Sequence, residues 1–468
     1  MRKPLQILGP TIKEQSVFVS AQDTVNLWPR LTKPGAKSAI VLYPPPGLTP
    51  FAVAGSGPNR SNGVVFGDYA YFVNGTNLYR ITTAGGATNV GTLATSSGRA
   101  SIILGRTYIL ILDGTSGYYY DGTTFTTITD VDFPAGASQG SHLDGYFIVL
   151  KPATDEFYLS APNDPSSWNA LDFEAASAKP DNAVAIFSTT KDLAIAGDRS
   201  IQFYYNSGNS DFPFIPYSGG VLEFGVKAPA SVFNSSVGTF LLATADEGGI
   251  AVVLINGFQA QIISDDIGPE LASLTTVTDA EGFVYRKDDR TYYQISFPSE
   301  AKTYEYLVEG GFWVTRKSNG ITRYRGNGHV FLGNKNIVGD YENGKYYTLD
   351  FTTYTDNLLT LERSRTTQQI HADGNQITFH ELILEMEVGV GLVSGQGSNP
   401  LVTMNYSDDN GKSWSANLTG SMGLIGDYNI IIQWNKLGAS YNRIFKFTVT
   451  DPVKVVFINC YAMVGVTL

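Results

Sequence analysis

The chain has 468 residues, with 43 acidic and 32 basic side chains and a formal net charge of −11. This balance argues against a protein whose main task is to grip nucleic-acid phosphates, and the aromatic content excludes global disorder. The single cysteine, Cys460, excludes a disulfide within the chain and a cysteine-ligated zinc cluster.

Residues 1–50 are predicted to form an extended arm. Two basic residues open the chain, but Pro4 and Pro10 break the apolar run that a signal peptide needs, so none is expected. The run Pro44–Gly47 favours extended backbone, and residues 1–50 offer no material for a blade. Because no apolar stretch reaches the roughly 18 residues of a membrane-spanning helix, no stable membrane insertion is expected.

Residues 51–350 are predicted to form a β-propeller. Short apolar strands alternate with Asn-Gly or Asp-Gly dipeptides, which supply the positive φ of two-residue hairpin turns. These dipeptides lie at 74–75, 113–114, 121–122, 256–257 and 343–344. Equivalent strands recur roughly every 40–50 residues, the repeat typical of propeller blades, at Ala70, Tyr108, Tyr146, Leu193, Phe240, Phe283 and Val330. The pattern predicts an all-β propeller of about seven blades, with six possible; the alternative is a string of unrelated β-meanders.

Residues 351–468 are predicted to form a β-sandwich-like module. Apolar and polar residues alternate over Leu382–Val388, Ile444–Val449 and Val453–Ile458, and the segment 389–400 has the composition of a flexible loop. We expect this module and the N-terminal arm to build one platform domain, from which the propeller projects.

Residues that carry catalysis or metal binding are sparse. The four histidines show no ligand spacing, so no metal site is expected. Carboxylate pairs occur at 246–247, 265–266, 288–289 and 408–409, but adjacent side chains on a strand point to opposite faces. We therefore interpret them as solvated turns, although acids from two different blades could still meet. The sequence predicts neither an enzyme nor a cofactor.

One local motif is specific. Ser407–Trp414 matches the Asp-box of sialidase-type propellers. We expect Ser407 and Asp409 to bind the turn, Gly411 to take positive φ, and Trp414 to pack beneath the hairpin. The motif also occurs in proteins that are not enzymes, so Asp409 is interpreted as a turn residue rather than a catalytic acid.

Small basic clusters occur at 316–317, with Arg323 and Arg325 nearby, and at 363–365. Because the overall charge is negative, we interpret them as solvated strand ends or partners of acidic neighbours rather than as a phosphate-binding surface.

Short motifs at both ends of the chain, and one in the middle, form an ordered set. They are Gln22–Pro29, Tyr43–Pro44, Pro46–Leu48, Ser160–Trp168, Glu362–Thr367, Ala372–Gly374, Met386–Gly391, Gln396–Pro400, Ile425–Tyr428, Trp434–Gly438, Arg443–Phe445 and Asp451–Val453. In this order they resemble the packaged-DNA stabilisation proteins of short-tailed bacteriophages, the tail hub or nozzle subunits. Trp28 stands where that family usually has Tyr, and Arg30 where an acidic residue is common.

The resemblance implies a non-enzymatic virion protein of the tail, made in the host cytoplasm. Family members form a hexameric ring below the portal and its adaptor ring. They close the DNA channel after packaging, hold a plug or needle, carry spikes or fibres, and let DNA pass on ejection. Within the matching motifs, the candidates for contact with a ring neighbour or the adaptor are Asn26, Leu27, Trp28, Pro29, Arg363, Arg365, Trp434 and Arg443.

A second class of function stays open at this point: a glycan-binding or glycan-hydrolysing propeller of a host-recognition device. The Asp-box and the aromatic segments Tyr204–Asn206 and Phe212–Phe214 favour it, because exposed rings stack on sugars. A single Asp-box and the lack of an identifiable arginine trio count against hydrolysis. A generic secreted binding propeller is a third possibility, and it would require the signal peptide that the N-terminus does not predict.

Overall fold

The computed structural model describes residues 2–244 and 248–467, and β-strands dominate it. Within these residues, helical structure is limited to α1 (Gly268–Ala272) and two 3-10 turns, Pro229–Ser231 and Asp265–Ile267. The N-terminal strands are β1 (Lys3–Pro4), β2 (Ile12–Lys13), β3 (Ala21–Val25), β4 (Trp28–Leu31), β5 (Ile40–Tyr43) and β6 (Gly47–Val53).

Six blades are each built from four antiparallel strands that follow one another in the chain. Blades 1 to 3 are β7 (Val64–Phe66), β8 (Tyr69–Asn74), β9 (Asn77–Ile81) and β10 (Ala87–Thr92); β11 (Ser101–Leu104), β12 (Ile109–Leu112), β13 (Gly117–Tyr120) and β14 (Phe125–Thr127); and β15 (Gly140–Leu143), β16 (Tyr146–Leu150), β17 (Glu156–Ala161) and β18 (Asp164–Ala175). Blades 4 to 6 are β19 (Ala183–Ser188), β20 (Asp192–Gly197), β21 (Ile201–Asn206) and β22 (Phe214–Leu222); β24 (Phe233–Ser235), β25 (Gly238–Thr244), β26 (Ile250–Asn256) and β27 (Gln259–Ile262), with the short β23 (Gly225–Val226) also on β25; and β28 (Glu281–Lys287), β29 (Arg290–Phe297), β30 (Lys302–Leu307) and β31 (Phe312–Thr315).

A further sheet combines distant parts of the chain. Its consecutive strands are β32 (Gly326–Leu332), β33 (Lys335–Asp340) and β34 (Lys345–Asp350), and the N-terminal strand β6 completes it by pairing antiparallel with β34. Strand β32 contacts β7 of blade 1, so the ring of sheets closes on itself. The expectation that residues 1–50 offer no material for a blade is wrong, because β6 begins at Gly47 and completes this sheet. The predicted domain limits at residues 50 and 350 stay predictions.

Neighbouring sheets of the ring are held together by apolar side chains. Tyr71 and Ile109 belong to the cluster between blades 1 and 2, and Phe240 stacks on Tyr293 between blades 5 and 6, with ring centroids 4.7 Å apart. Clusters of this kind recur around the whole described ring, including the junction of β33 with blade 1. Radial stacking therefore buries faces that a single four-stranded sheet would expose. The predicted all-β propeller is confirmed.

The aligned repeat positions do not all occupy the same strand. Positions Ala70 to Phe240 lie on, or one residue before, the second strand of a blade, whereas Phe283 and Val330 lie on the first. The first strands of the last two sheets, β28 and β32, are seven residues long, but β7, β11 and β15 have only three or four. Short first strands carry too weak a pattern to be aligned.

The predicted hairpin turns use glycine in two ways. Gly75, Gly114, Gly122 and Gly257 take positive φ, as the turn dipeptides predict. Gly344 does not, and a Cβ there would lie 2.1 Å from the carbonyl oxygen of Gly55. At this position glycine is needed because two backbone segments approach closely.

The sandwich domain is built from both ends of the chain. Its C-terminal strands, with the short β35 and β36 that extend the sheet of β6, are β35 (Thr355–Asp356), β36 (Leu359–Thr360), β37 (Arg363–Thr366), β38 (Ile370–His371), β39 (Gln376–Met386), β40 (Leu401–Ser407), β41 (Leu418–Ser421), β42 (Ile432–Asn435), β43 (Ala439–Ser440), β44 (Asn442–Val449) and β45 (Phe457–Thr467). One sheet has the order β4-β5-β45-β39-β42, and the other has the order β3-β37-β44-β40-β41. Leu382, Phe445, Phe447 and Phe457 are buried in the core between them. The predicted sandwich module is confirmed.

The strand predicted over Val453–Ile458 is wrong for its first four residues, because β45 begins only at Phe457. The carbonyl oxygens of Asp451 and Val453 instead accept hydrogen bonds from the Arg363 guanidinium, each at 3.0 Å. A side chain thus takes acceptors that a strand ladder would use.

Candidate functional site

Strand β3 joins the two domains through backbone hydrogen bonds. It lies between β31 of blade 6, which it pairs in parallel at Val25, and β37 of the sandwich. Beyond it, the Asn26 side-chain amide donates to the carbonyl oxygens of Lys317 (3.1 Å) and Glu362 (2.8 Å), one on each domain. A single eleven-stranded sheet therefore runs from the propeller into the sandwich, and it opposes hinge motion between them.

A buried polar network fixes the next residues of the arm against blade 6. The Trp28 indole N–H donates to Glu305 Oε2 at 2.6 Å, and its ring stacks on Tyr292 with centroids 4.2 Å apart. The Tyr285 hydroxyl donates to the other carboxylate oxygen at 2.6 Å, and the Arg316 guanidinium lies 3.7 Å from Glu305. Burial, and then the Glu305 charge, raises the pKa of Tyr285, so this hydroxyl stays a donor. The Glu305 carboxylate is thereby stabilised although it is fully buried.

Two buried arginines anchor further segments to the sandwich. Arg365 donates to the carbonyl oxygens of Ile7 and Pro10, each at 2.7 Å, and to the side-chain oxygens of Gln22 (2.6 Å) and Thr24 (2.9 Å). Arg363 binds the loop before β45 and the carbonyl oxygen of Tyr354. Arg363 and Arg365 therefore hold distant segments together from inside the protein and do not form a solvated basic cluster.

The remaining two contact candidates lie inside the sandwich. Arg443 forms a bidentate ion pair with Asp408 at 2.6 and 2.7 Å, and its guanidinium lies 4.1 Å from the centroid of the Tyr406 ring. Trp434 packs on Phe447 in the core.

All eight residues proposed for contact with a ring neighbour or an adaptor have buried side chains. They are Asn26, Leu27, Trp28, Pro29, Arg363, Arg365, Trp434 and Arg443. A buried side chain cannot meet a second protein without local unfolding, so the structure does not support an interface built from them. The motifs Asn26–Pro29 and Arg363–Arg365 instead form the joint that unites the arm, the propeller and the sandwich.

The Asp-box forms a compact turn at the end of β40. The Asp409 carboxylate accepts from the Ser413 backbone N–H at 2.8 Å and from the hydroxyls of Ser413 (2.5 Å) and Ser407 (2.7 Å). These hydrogen bonds, that of the Ser413 side chain first, lower the pKa of Asp409 to about 2. Gly411 has φ +87°, while Trp414 keeps 38% of its surface exposed rather than lying fully beneath the hairpin. The bonds of Asp409 are those of a turn, and its lowered pKa opposes a role as a proton donor.

An exposed apolar surface, which the sequence analysis missed, lies on two neighbouring loops of the sandwich. The backbone N–H of Gly426 donates to the carbonyl oxygen of Gly389 at 3.1 Å and ties the loops together. Five apolar side chains of these loops and of the adjoining Ile431 are more than half exposed, and we call them the loop patch: Val393, Leu424, Ile425, Tyr428 and Ile431. Val393 is 88% exposed and Tyr428 is 73% exposed. Apolar residues in glycine-rich segments outside any strand were the signal that could have revealed it.

The carboxylate pairs take different positions. Asp288 and Asp289 form a turn with positive φ, and Asp408 is held by Arg443. The pair at 265–266 lies in a 3-10 turn, and the pair at 246–247 lies outside the described residues. Among residues 2–244 and 248–467, no group of three or more His, Cys, Asp or Glu side chains could hold a metal ion.

The aromatic segments that favoured a glycan site are largely internal. Tyr204 and Phe214 are fully buried in the cluster between blades 3 and 4, so neither ring face can stack on a sugar.

His329, on β32, gives a prediction for stability against pH. Its ring lies parallel to Phe283, and its Nε2 is 3.0 Å from Asn336 Oδ1. Burial lowers the pKa of His329 from 6.5 to about 4. The unfolded chain therefore takes up a proton at a higher pH than the folded chain does. The free energy of unfolding should fall as the pH drops from 6.5 to 4, by about 3 kcal/mol in total from this group.

Urea unfolding of the wild type and of the His329→Gln variant across this pH range measures the effect. The variant should lose this part of the pH dependence, whereas a variant of the exposed His371, His371→Gln, should keep it. Equal pH dependence in all three proteins would contradict the prediction.

No helix in the described part of the chain is both long and apolar enough to cross a membrane.

Family models match both domains of the chain. Residues 1–354 match the family model described as bacteriophage P22 Gp10, β-propeller, and residues 362–465 match that described as bacteriophage P22 Gp10, β-sandwich. Together with the observed domains, these matches define a structural protein of a bacteriophage virion. The chain belongs to the bacteriophage P22 Gp10 family, which confirms the resemblance to packaged-DNA stabilisation proteins.

Curated proteins give no match to the chain. Among solved structures, YCF48 from Cyanidioschyzon merolae is similar at 11% identity and a TM-score of 0.42, over 65% of this chain and 98% of that one. The computationally designed Ika8 protein is similar at 8% identity and a TM-score of 0.41, over 64% and 99%. The Pan2 WD40 domain of Neurospora crassa is similar at 8% identity and a TM-score of 0.40, over 63% and 89%. Likeness at this level says nothing about function.

Proposed function

We propose that this protein is a tail hub or nozzle subunit, made in the host cytoplasm and incorporated into the virion. Six copies form a ring below the portal-adaptor ring and close the DNA channel after packaging. The ring also holds the plug or needle and the spikes or fibres, and lets DNA pass on ejection. The observation that carries this proposal is the match of both domains to a phage structural family, in a body whose domains share one continuous sheet.

A stiff subunit suits this task. A ring that retains packaged DNA carries a sustained load, and a hinge within each subunit would let it open. Strand β3 and the network of Trp28 and Glu305 resist such a hinge, because any rotation of the propeller against the sandwich would break their hydrogen bonds.

The loop patch is the surface that we assign to contact between copies. Contiguous exposed apolar residues mark interaction sites, and ring closure needs a surface on each copy that meets a different surface on the next. The patch replaces the buried residues that the sequence analysis proposed. The net charge of −11 is consistent with a channel wall along which DNA slides, because cationic walls would bind its phosphates.

The test uses DNA-filled heads assembled without this protein, whose DNA should be open to nuclease. Purified wild-type protein should restore nuclease protection. The double variant Ile425→Ser with Tyr428→Ser should fail to restore it, because the apolar contact between copies is lost. The matched control is Val131→Ser, a substitution of an apolar residue that is 94% exposed on the propeller, and it should act like the wild type.

Sedimentation of each purified protein before addition serves as the folding control, and all should run as monomers. Full protection by the loop-patch variant would contradict the assignment of the patch. Failure of the wild type to protect the DNA would contradict the proposed function itself.

A further inference from the structure

A cavity of about 570 Å³ lies at the axis of the propeller, at the end where its inner strands begin. Its walls come from the segments that lead into β7, β11, β15, β24, β28 and β32, so most sheets of the ring contribute to it. This volume is within the range of small-molecule sites.

The charged side chains of this cavity carry a small positive excess, although the whole chain is acidic. Among the described residues that line it, the charged ones are Arg60, Arg99, Arg323, Asp279 and Glu281. The formal sum is three positive and two negative charges, which leaves one positive charge. A net positive charge favours a ligand that carries negative charge.

Arg60 has a structural role: it holds the loop that carries Arg99. Its guanidinium donates to the carbonyl oxygens of Gly75, Thr95, Ser97 and Gly98, at 2.6 to 2.8 Å. These bonds fix the loop that ends at Arg99. Arg60 thus holds the cavity wall, and Arg99 and Arg323 remain as the groups that can bind a ligand.

Arg99 and Arg323 share one acidic partner. Their guanidinium nitrogens lie 3.6 and 3.3 Å from the same Oε2 atom of Glu281. The Arg323 side chain is only 9% exposed, its guanidinium lies 4.1 Å from the centroid of the Tyr341 ring, and its Nε finds no acceptor among the described residues. A carboxylate in the cavity would bind the terminal nitrogens of these two guanidinium groups and would compete with Glu281 for them.

The uncharged polar side chains of the cavity indicate which groups a ligand would carry besides its carboxylate. Hydroxyl and amide side chains also line the cavity, from Ser96, Ser97, Ser138, Gln139 and Thr278. Groups of this kind exchange hydrogen bonds with alcohols. We propose that the axial cavity binds a small hydroxylated carboxylic acid of the sugar-acid class, with its carboxylate held by Arg99 and Arg323. This inference stands independently of the proposed role in the tail.

Titration calorimetry of the purified full chain with D-glucuronate tests the proposal. D-glucuronate should bind, whereas D-glucose should not, because it lacks the carboxylate. Acetate, which lacks the hydroxyls, and inorganic phosphate should both bind more weakly than D-glucuronate. Absence of glucuronate binding, or tighter binding of phosphate, would overturn the assignment.

Variants of the two arginines test whether glucuronate binds in the axial cavity. Arg99→Gln should weaken glucuronate binding at least about tenfold, and Arg323→Lys should also weaken it, because lysine lacks the planar fork of donors. The control Arg106→Gln removes the same charge from an exposed arginine of the same blade and should bind like the wild type. Unchanged binding by Arg99→Gln, which is partly exposed and should fold, would overturn the proposal even if the Arg323 variant does not fold.

Discussion

Replacement of Trp28 by alanine is expected to lower the free energy of unfolding by about 3–5 kcal/mol. The indole is fully buried, stacks on Tyr292 and donates to the buried Glu305 carboxylate. The change removes the packing and also leaves Glu305 with one donor fewer, in a place that water does not reach. Urea and thermal unfolding of the full chain measure the loss, and limited proteolysis should show cleavage at the joint of the two domains.

Two further variants separate packing from hydrogen bonding. Trp28→Phe keeps an aromatic ring against Tyr292 but removes the N–H, so it should cost about 1–3 kcal/mol. Trp414→Ala, which changes the partly exposed indole of the Asp-box, should cost about 1 kcal/mol or less. If Trp28→Ala lowered the free energy of unfolding no more than Trp414→Ala does, the Trp28 indole would not hold the joint.

Replacement of Arg365 by methionine is expected to free the N-terminal arm and to destabilise the chain by about 2–4 kcal/mol. The guanidinium donates to four acceptors between Ile7 and Thr24, and methionine fills similar space without donating to any of them. Trypsin should then cut after Lys13 well before it cuts elsewhere, as mass spectrometry of the fragments would show.

The matched control is Arg199→Met, which removes an exposed arginine from the propeller and should leave both stability and cleavage unchanged. Slow cleavage after Lys13 in the Arg365 variant, equal to that in the wild type, would mean that the strand pairing of β1 to β3 holds the arm without this side chain.

The propeller could be predicted because its signals are local. A turn such as Asn74–Gly75 and the strands that flank it lie within one short window, and the hydrophobic period of each strand is visible there. The closure of the ring by β6 could not be predicted in this way. It depends on backbone hydrogen bonds between residues some 300 positions apart, which leave no side-chain pattern.

The joint was misassigned for a related reason. In the sequence, Arg363 and Arg365 are alternate residues of a polar segment, and such residues usually face solvent. Their burial depends on carbonyl oxygens of distant segments, such as those of Ile7 and Val453, that no sequence pattern records. Trp28 likewise has its partner at Glu305, in the sixth blade. A sequence motif shared with a family can therefore form an internal joint between domains, and it does not by itself indicate an interaction surface.

The axial cavity could not be predicted from the sequence either, because residues far apart in the chain form it. Arg99 and Arg323 are more than 200 positions apart in the chain and line one cavity only when the ring of sheets closes, so no local sequence pattern records their proximity.

Electron cryomicroscopy of intact particles tests the central claim most directly. The account predicts a sixfold ring of propeller–sandwich subunits at a single capsid vertex, directly below the adaptor ring, with the loop patch covered by the adjacent copy. Particles that carry the protein elsewhere, or as isolated subunits without ring symmetry, would contradict it.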